Sequence, residues 1–166
     1  EKLLKEGVNC RLLLVPRHAE RREEIRKLLE KQGRAFHFRS DGPPPGPLRI
    51  YVADTTGELA LLSQLADIAY IGKSMRPNEG GQTPIEAAAI GLPILYGPNM
   101  NNFREVCRQL EAVGAAKQAK TPTELATLVL TLIQRNEIRE KMSQAAKTWH
   151  SNNQGATQRA LEALNE

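Results

Sequence analysis

The chain predicts an α/β domain of Rossmann type: a doubly wound parallel sheet of about six strands with a C-terminal helical tail. Apolar runs of strand length alternate with longer segments of helical period, the pattern of parallel strands joined by crossover helices. The first such run, Cys10 to Val15, is uninterrupted after one arginine, as expected of a strand buried on both faces. No repeat of fixed period and no low-complexity tract competes with this reading.

The elements follow in order. After the first strand, Ala19 to Gly33 carries Ile25, Leu28 and Leu29 on one stripe and closes on Gly33 as a C-cap. A short strand spans Ala35 to Arg39. Asp41-Gly42-Pro43-Pro44-Pro45-Gly46-Pro47 reads as an exposed loop within the domain, because strand-like Leu48 to Ala53 follows at once. Helix Glu58 to Leu65, strand Asp67 to Ile71, a glycine loop, helix Pro84 to Ile90 and strand Pro93 to Tyr96 come next. The remainder reads as helix Phe103 to Ala112, strand Ala115 to Gln118, and helices over Pro122 to Arg135, Glu137 to His150 and Gly155 to Leu164.

At 166 residues the chain fits one domain with a proper core. It starts without methionine, and Glu1-Lys2-Leu3-Leu4-Lys5-Glu6 reads as a helix arriving from elsewhere, so residues 1–166 are expected to be a fragment of a longer two-domain chain. No apolar run approaches the roughly 20 residues of a membrane span, and the expectation is a soluble piece. Cys10 and Cys107 stand far apart, and His18, His37 and His150 are scattered. That spacing offers neither a disulfide framework nor a metal cluster and suits a reducing cytoplasm. The formal charge of +4 favours anionic partners, but the basic residues are dispersed and no aromatic residues interleave with them, which argues against nucleic acid.

In sheets of this class ligands bind at the carboxyl ends of the strands. Three loops are expected there, all at one edge: Pro16-Arg17-His18, Asp54-Thr55-Thr56-Gly57-Glu58, and Gly72 through Gln82. The most specific segment is Gly80-Gly81-Gln82-Thr83-Pro84-Ile85-Glu86. Its glycines, capping threonine and helix-opening proline outline an anion-binding loop, and Glu86 one turn in suits a pair of neighbouring sugar hydroxyls, so it reads as a nucleotide-sugar site. A capping box accounts for the same residues, with Thr83 accepting from the helix and Glu86 reaching back. Thr121-Pro122-Thr123-Glu124 repeats the box without glycines and is assigned to helix initiation alone.

Arg17 offers a fork of donors to a phosphate, or pairs with Glu20 or Glu24 on the next turn. Thr55-Thr56-Gly57-Glu58 is a third Thr-x-x-Glu; capping explains Thr55 and Glu58, whereas Gly57 suits close approach of a base to the main chain of Thr56 and Gly57. Asn99, Asn101 and Asn102 read as turn and cap residues, with a donor-sugar contact from Asn102 left open. Val15-Pro16-Arg17-His18 in place of a Gly-x-Gly-x-x-Gly turn disfavours a dinucleotide dehydrogenase.

Val15-Pro16-Arg17-His18, Asp54-Thr55-Thr56-Gly57-Glu58-Leu59, Gly80 through Glu86, Gly91-Leu92-Pro93 and Asn102-Phe103, in this order, resemble the C-terminal half of the Kdo (3-deoxy-D-manno-octulosonic acid) transferases from about residue 9 onward. The resemblance implies the donor domain of a GT-B glycosyltransferase that adds Kdo from CMP-Kdo, with inversion, to a lipid A precursor at the inner face of the bacterial cytoplasmic membrane. It implies cytidine nucleotide contacts from Pro16 and Arg17, from Thr56, Gly57 and Glu58, and from Thr83, Pro84, Ile85 and Glu86. Donor-sugar contacts from Lys73, Gly81, Gln82 and Asn102 are left open, with Lys73 either compensating the changed contact by its charge or pointing into solvent. The catalytic glutamate, the acceptor site and the membrane-associating surface are implied to lie in an N-terminal domain outside this chain, so the chain alone is expected to bind the donor without turnover. No metal or other cofactor is expected, and no Asp-x-Asp pair occurs. Lys73 stands where the family has a second glycine, and Gln82-Thr83 where it has His-Asn, which bears on the contact to donor carboxylate or phosphate. A UDP-sugar transferase or epimerase, and a non-catalytic Rossmann-like interaction module, are the competing readings.

Overall fold

The computed structural model describes residues 8–154, so the helical readings at the two extreme ends, over the first six residues and over 155–164, lie outside the described residues. The chain divides into two compact units, one ending at Leu65 and one beginning at Ala66.

The first unit contains β1 (Leu12–Leu14), a 3-10 turn (Ala19–Arg21), α1 (Arg22–Lys31), β2 (Phe36–Phe38), a second 3-10 turn (Arg39–Asp41), β3 (Ile50–Val52) and α2 (Leu59–Ser63). Its sheet is parallel throughout, in the order β1-β3-β2, with Leu14 and Phe38 both level with Val52. Ile25 and Leu29 of α1 pack on Phe38, Ile50 and Val52, joined by Leu14 and Phe36. Leu28 does not share that stripe and is 55% exposed. Ile25 and Leu29 are one α-turn apart and define the buried line, which leaves Leu28, 100° back from Leu29, on its flank. The strand expected to be buried on both faces is also more open, Leu12 being 45% exposed at one end of the strand order.

Helix α1 ends as its glycine predicts. Gly33 adopts φ +62°, its N–H bonds Glu30 O at 2.8 Å, and the Arg34 N–H bonds Leu29 O at 3.2 Å, a Schellman motif that a residue with a Cβ forms less readily.

The second unit contains β4 (Ala69–Ile71), α3 (Ile85–Ala89), β5 (Ile94–Tyr96), a 3-10 turn (Asn101–Phe103), α4 (Arg104–Ala112), β6 (Ala116–Gln118), α5 (Pro122–Gln134) and α6 (Asn136–Asn153). Its parallel sheet runs β4-β5-β6. Central β5 has no exposed surface, because successive side chains enter opposite cores. Ile94 and Tyr96 join Ala88, Leu92, Leu110 and Trp149, while Leu95 faces Leu132 and Met142 from α5 and α6. Burial of each such leucine contributes about 2 kcal/mol of transfer free energy. The Tyr96 hydroxyl, the one polar atom β5 carries into its core, donates to Glu111 Oε1 at 2.8 Å and lies 3.2 Å from Cys107 O. Burial, with help from Glu111, pushes that phenol far above its usual range.

Candidate functional site

In a parallel pair the carboxyl ends of both strands leave by the same edge, so β1 and β3 deliver residues 15–18 and 53–58 side by side in the first unit. Pro16 is half-buried, and Arg17 and His18 are exposed beyond β1. Of the two alternative partners for Arg17, Glu20 and Glu24, the latter is engaged by Arg21 at 2.7 Å.

The Asp54–Glu58 loop is held at both ends by three consecutive residues after β2, a feature the sequence reading missed. Asp54 is buried and accepts from the Ser40 N–H at 3.0 Å, from Ser40 Oγ at 2.6 Å, and from Arg22. Burial raises the Asp54 carboxyl, and the Ser40 and Arg22 donors outweigh it, leaving the group below its ordinary value. Arg22 also bridges to Asp41 at 2.6 Å, with its guanidinium 4.2 Å above the Phe38 ring. At the other end Glu58 accepts from Arg39 Nε at 2.6 Å, from Arg39 Nη2, and from the Thr55 hydroxyl. Arg39, then Thr55, hold the Glu58 carboxyl down to about 2. The one available signal was positional: Arg39-Ser40-Asp41 follows a strand of the same parallel sheet and therefore emerges at the same edge.

In the second unit the glycine loop after β4 is sewn to the segment after β5. Ser74 is fully buried; its hydroxyl donates to Ile71 O at 2.6 Å and accepts from the Gly97 N–H at 2.8 Å, and its carbonyl accepts from the Asn99 N–H at 2.8 Å. The Gly81 and Gln82 N–H groups turn inward to Lys73 O and Gly72 O, at 3.1 and 3.2 Å, with Lys73 itself left-handed at φ +59°. Gly80 and Gly81 have φ of +94° and +69°. A Cβ on Gly81 would meet Met100 Sδ at 2.3 Å, and one on Gly80 would meet Asn102 Nδ2 at 2.8 Å, so the chain that approaches these glycines is the protein's own. Asn102 accordingly sits against Gly80, its N–H on Gly80 O at 3.2 Å, and does not cap α4.

The three Thr-x-x-Glu segments have three different outcomes. Thr121 accepts from the Glu124 N–H at 3.1 Å and Glu124 reaches back to the Lys120 N–H at 2.7 Å, the capping box expected of that copy with the return bond one residue earlier. Glu58 is consumed by Arg39. Thr83, behind half-buried Gln82, accepts instead from the Ile85 N–H at 3.2 Å, two residues on, and α3 opens at Ile85 after buried Pro84. Glu86 is exposed, and among the described residues its carboxylate accepts no hydrogen bond and forms no ion pair.

A family model described as glycosyl transferases group 1 matches residues 50–149. The chain is 38% identical over 157 residues to the 3-deoxy-D-manno-octulosonic acid transferase of Bordetella pertussis, covering 93% of this chain and 36% of that protein. It is 35% identical over 164 residues to the enzyme of that name in Haemophilus influenzae, covering 98% and 38%. The chain thus spans a little over a third of the length of these curated relatives. Among solved structures, the C-terminal CMP-Kdo binding domain of WaaA from Acinetobacter baumannii superposes with a TM-score of 0.79 at 24% identity, covering 89% of this chain and 76% of that one. The fold is therefore the Rossmann-like arrangement of a GT-B C-terminal domain.

Proposed function

We propose, from the premise that this chain belongs to the glycosyl transferases group 1 family, that it is the donor-binding part of an inverting enzyme that transfers Kdo from CMP-Kdo to a lipid A precursor. The names of the relatives support the sugar, and the name of the WaaA domain supports the nucleotide. The observation that carries the reading is the state of Glu86: an acid placed by a glycine loop at the start of a helix, released from the capping role that its counterpart Glu124 performs.

On this reading Glu86, beside Thr83, Pro84 and Ile85 in the second unit, accepts from the two ribose hydroxyls, and in the first unit Arg17, next to Pro16, offers its fork of donors to a phosphate. The exposed main chain of Thr56 and Gly57 addresses the cytosine edge, with Glu58 behind it. Lys73, Gly81, Gln82 and Asn102 lie toward the Kdo carboxylate. As the acceptor hydroxyl attacks the anomeric carbon, the bonding electrons leave with cytidine monophosphate, and donors fixed at that phosphate stabilise the developing charge. The catalytic base, the lipid A precursor site and attachment to the cytoplasmic face of the inner membrane are assigned to the remaining length seen in the relatives; no helix of the described residues is long and apolar enough to cross a membrane. Titration of cytidine monophosphate into isotope-labelled protein, with uridine monophosphate as comparison, tests the assignment. Amides of residues 56–58 and 83–86 are expected to shift with the cytidine nucleotide preferentially. No movement at either set would refute it.

A further inference from the structure

The residues at the two ends of the Asp54–Glu58 loop are fixed, and two of the three between them, Thr56 and Gly57, are open. Thr56 and Gly57 are exposed, Gly57 has φ +81°, and the space where its Cβ would point holds no atom within 4 Å. Asp54 is tied to Ser40 and, through Arg22, to Asp41; Glu58 is tied to Arg39. Both Glu58 oxygens are occupied, Oε1 by Arg39 Nη2 and Oε2 by Arg39 Nε and Thr55 Oγ1. With side chains 34% and 28% exposed, the Arg39–Glu58 pair lies in water-screened surroundings where ion pairs add little to stability. Its bidentate fork instead defines a geometry, which a lysine in its place would not reproduce.

We infer that the turn Arg39–Asp41 is a clamp that presets the main chain of Thr56 and Gly57 to receive the nucleobase of the donor, with Arg39 a positioning residue acting through Glu58. This rests on the donor-binding reading above and alters one part of it: Glu58 serves as the anchor of the loop, not as a contact to the nucleotide. A loop held before binding spares the ordering of its residues on binding, and loss of the clamp returns that cost.

The test compares Arg39→Gln, Glu58→Gln and the exchanged pair Arg39→Glu with Glu58→Arg in the full chain. Two quantities are read: the heteronuclear NOE of the Thr56 and Gly57 amides without nucleotide, which reports ps–ns order, and the dissociation constant for cytidine monophosphate. Retained amide dispersion at β3 confirms the fold. Each single variant is expected to lower the NOE at those two amides and to weaken nucleotide binding about tenfold, about 1.4 kcal/mol; the exchanged pair is expected to recover most of both. Unchanged NOE values in the single variants would overturn the clamp. So would a Glu58→Gln defect that Arg39→Gln lacks and the exchanged pair fails to relieve, because Glu58 would then touch the nucleotide itself. If the unaltered chain binds neither cytidine nor uridine monophosphate, the donor reading and the nucleobase role fall together, and the NOE comparison alone decides whether the turn orders the loop.

Discussion

Ser74→Ala removes a single oxygen from the place where the loops after β4 and β5 are joined. The Gly97 N–H, in a buried residue, loses its 2.8 Å acceptor and gains no other, a deficit of about 1–3 kcal/mol. The Ile71 carbonyl loses a 2.6 Å bond, about 1 kcal/mol more. Against this, replacing a hydroxyl by hydrogen on a fully buried Cβ recovers less than about 1 kcal/mol of transfer free energy, so the loss wins by roughly 2–3 kcal/mol. Urea unfolding followed by fluorescence of Trp149 is the suitable assay, because that residue is buried in the core of the same unit and is the sole tryptophan. With a slope of about 2 kcal/mol per molar urea, the midpoint should fall by roughly 1 M. A change in stability below about 0.5 kcal/mol would refute the claim that this hydroxyl holds the two loops together.

The duplicated Thr-x-x-Glu motif separates binding from capping. Glu86→Gln should weaken cytidine monophosphate binding about tenfold, the loss of a charge-assisted contact, with the unfolding curve unchanged; Thr121→Ala should cost about 1 kcal/mol of stability with binding unchanged, and a reversed pattern would exchange the two roles. The Glu58 carboxyl should titrate near 2 by carbon-detected NMR, because Arg39 stabilises its charged form. Since its folded value is depressed, the stability it contributes is complete above the unfolded carboxyl range near pH ~4.3 and is lost as pH falls through about 2; in Arg39→Gln the midpoint should return toward the ordinary range, and a midpoint near 4 in the unaltered chain would contradict the ion pair.

Elements whose cause is local were legible in the sequence, and elements whose cause is remote were not. Strand positions, the order of helices and the C-cap at Gly33 follow from runs of a few residues, and among the described residues the structure reproduces them with shifted bounds: α1 gives its first turn to a 3-10 segment, α2 contracts to Leu59–Ser63, and α6 extends to Asn153. Leu28 shows the limit of periodicity. Three apolar residues at helical spacing describe a stripe wider than the sheet beneath it covers, and only packing against Phe38, Ile50 and Val52 selects Ile25 and Leu29.

The same limit governs the candidate site. Thr55, Thr83 and Thr121 each precede a glutamate by three residues, and nothing within those four positions distinguishes a cap from an ion-paired anchor or an open acid. What distinguishes them lies elsewhere in the chain. Arg39, 19 residues before Glu58, captures that carboxylate. A first-turn bond from Thr83 to Ile85, in place of the Thr121 pattern, leaves Glu86 facing outward. The glycines that mark the loop before Thr83 are required by Met100 and Asn102, which approach from a segment about twenty residues on, so glycine content alone does not argue for a ligand. The acid that the completed packing leaves exposed is Glu86. Among the described residues the Glu86 carboxylate accepts no hydrogen bond and forms no ion pair, which is why the proposed donor contact rests on this acid and not on the glycines.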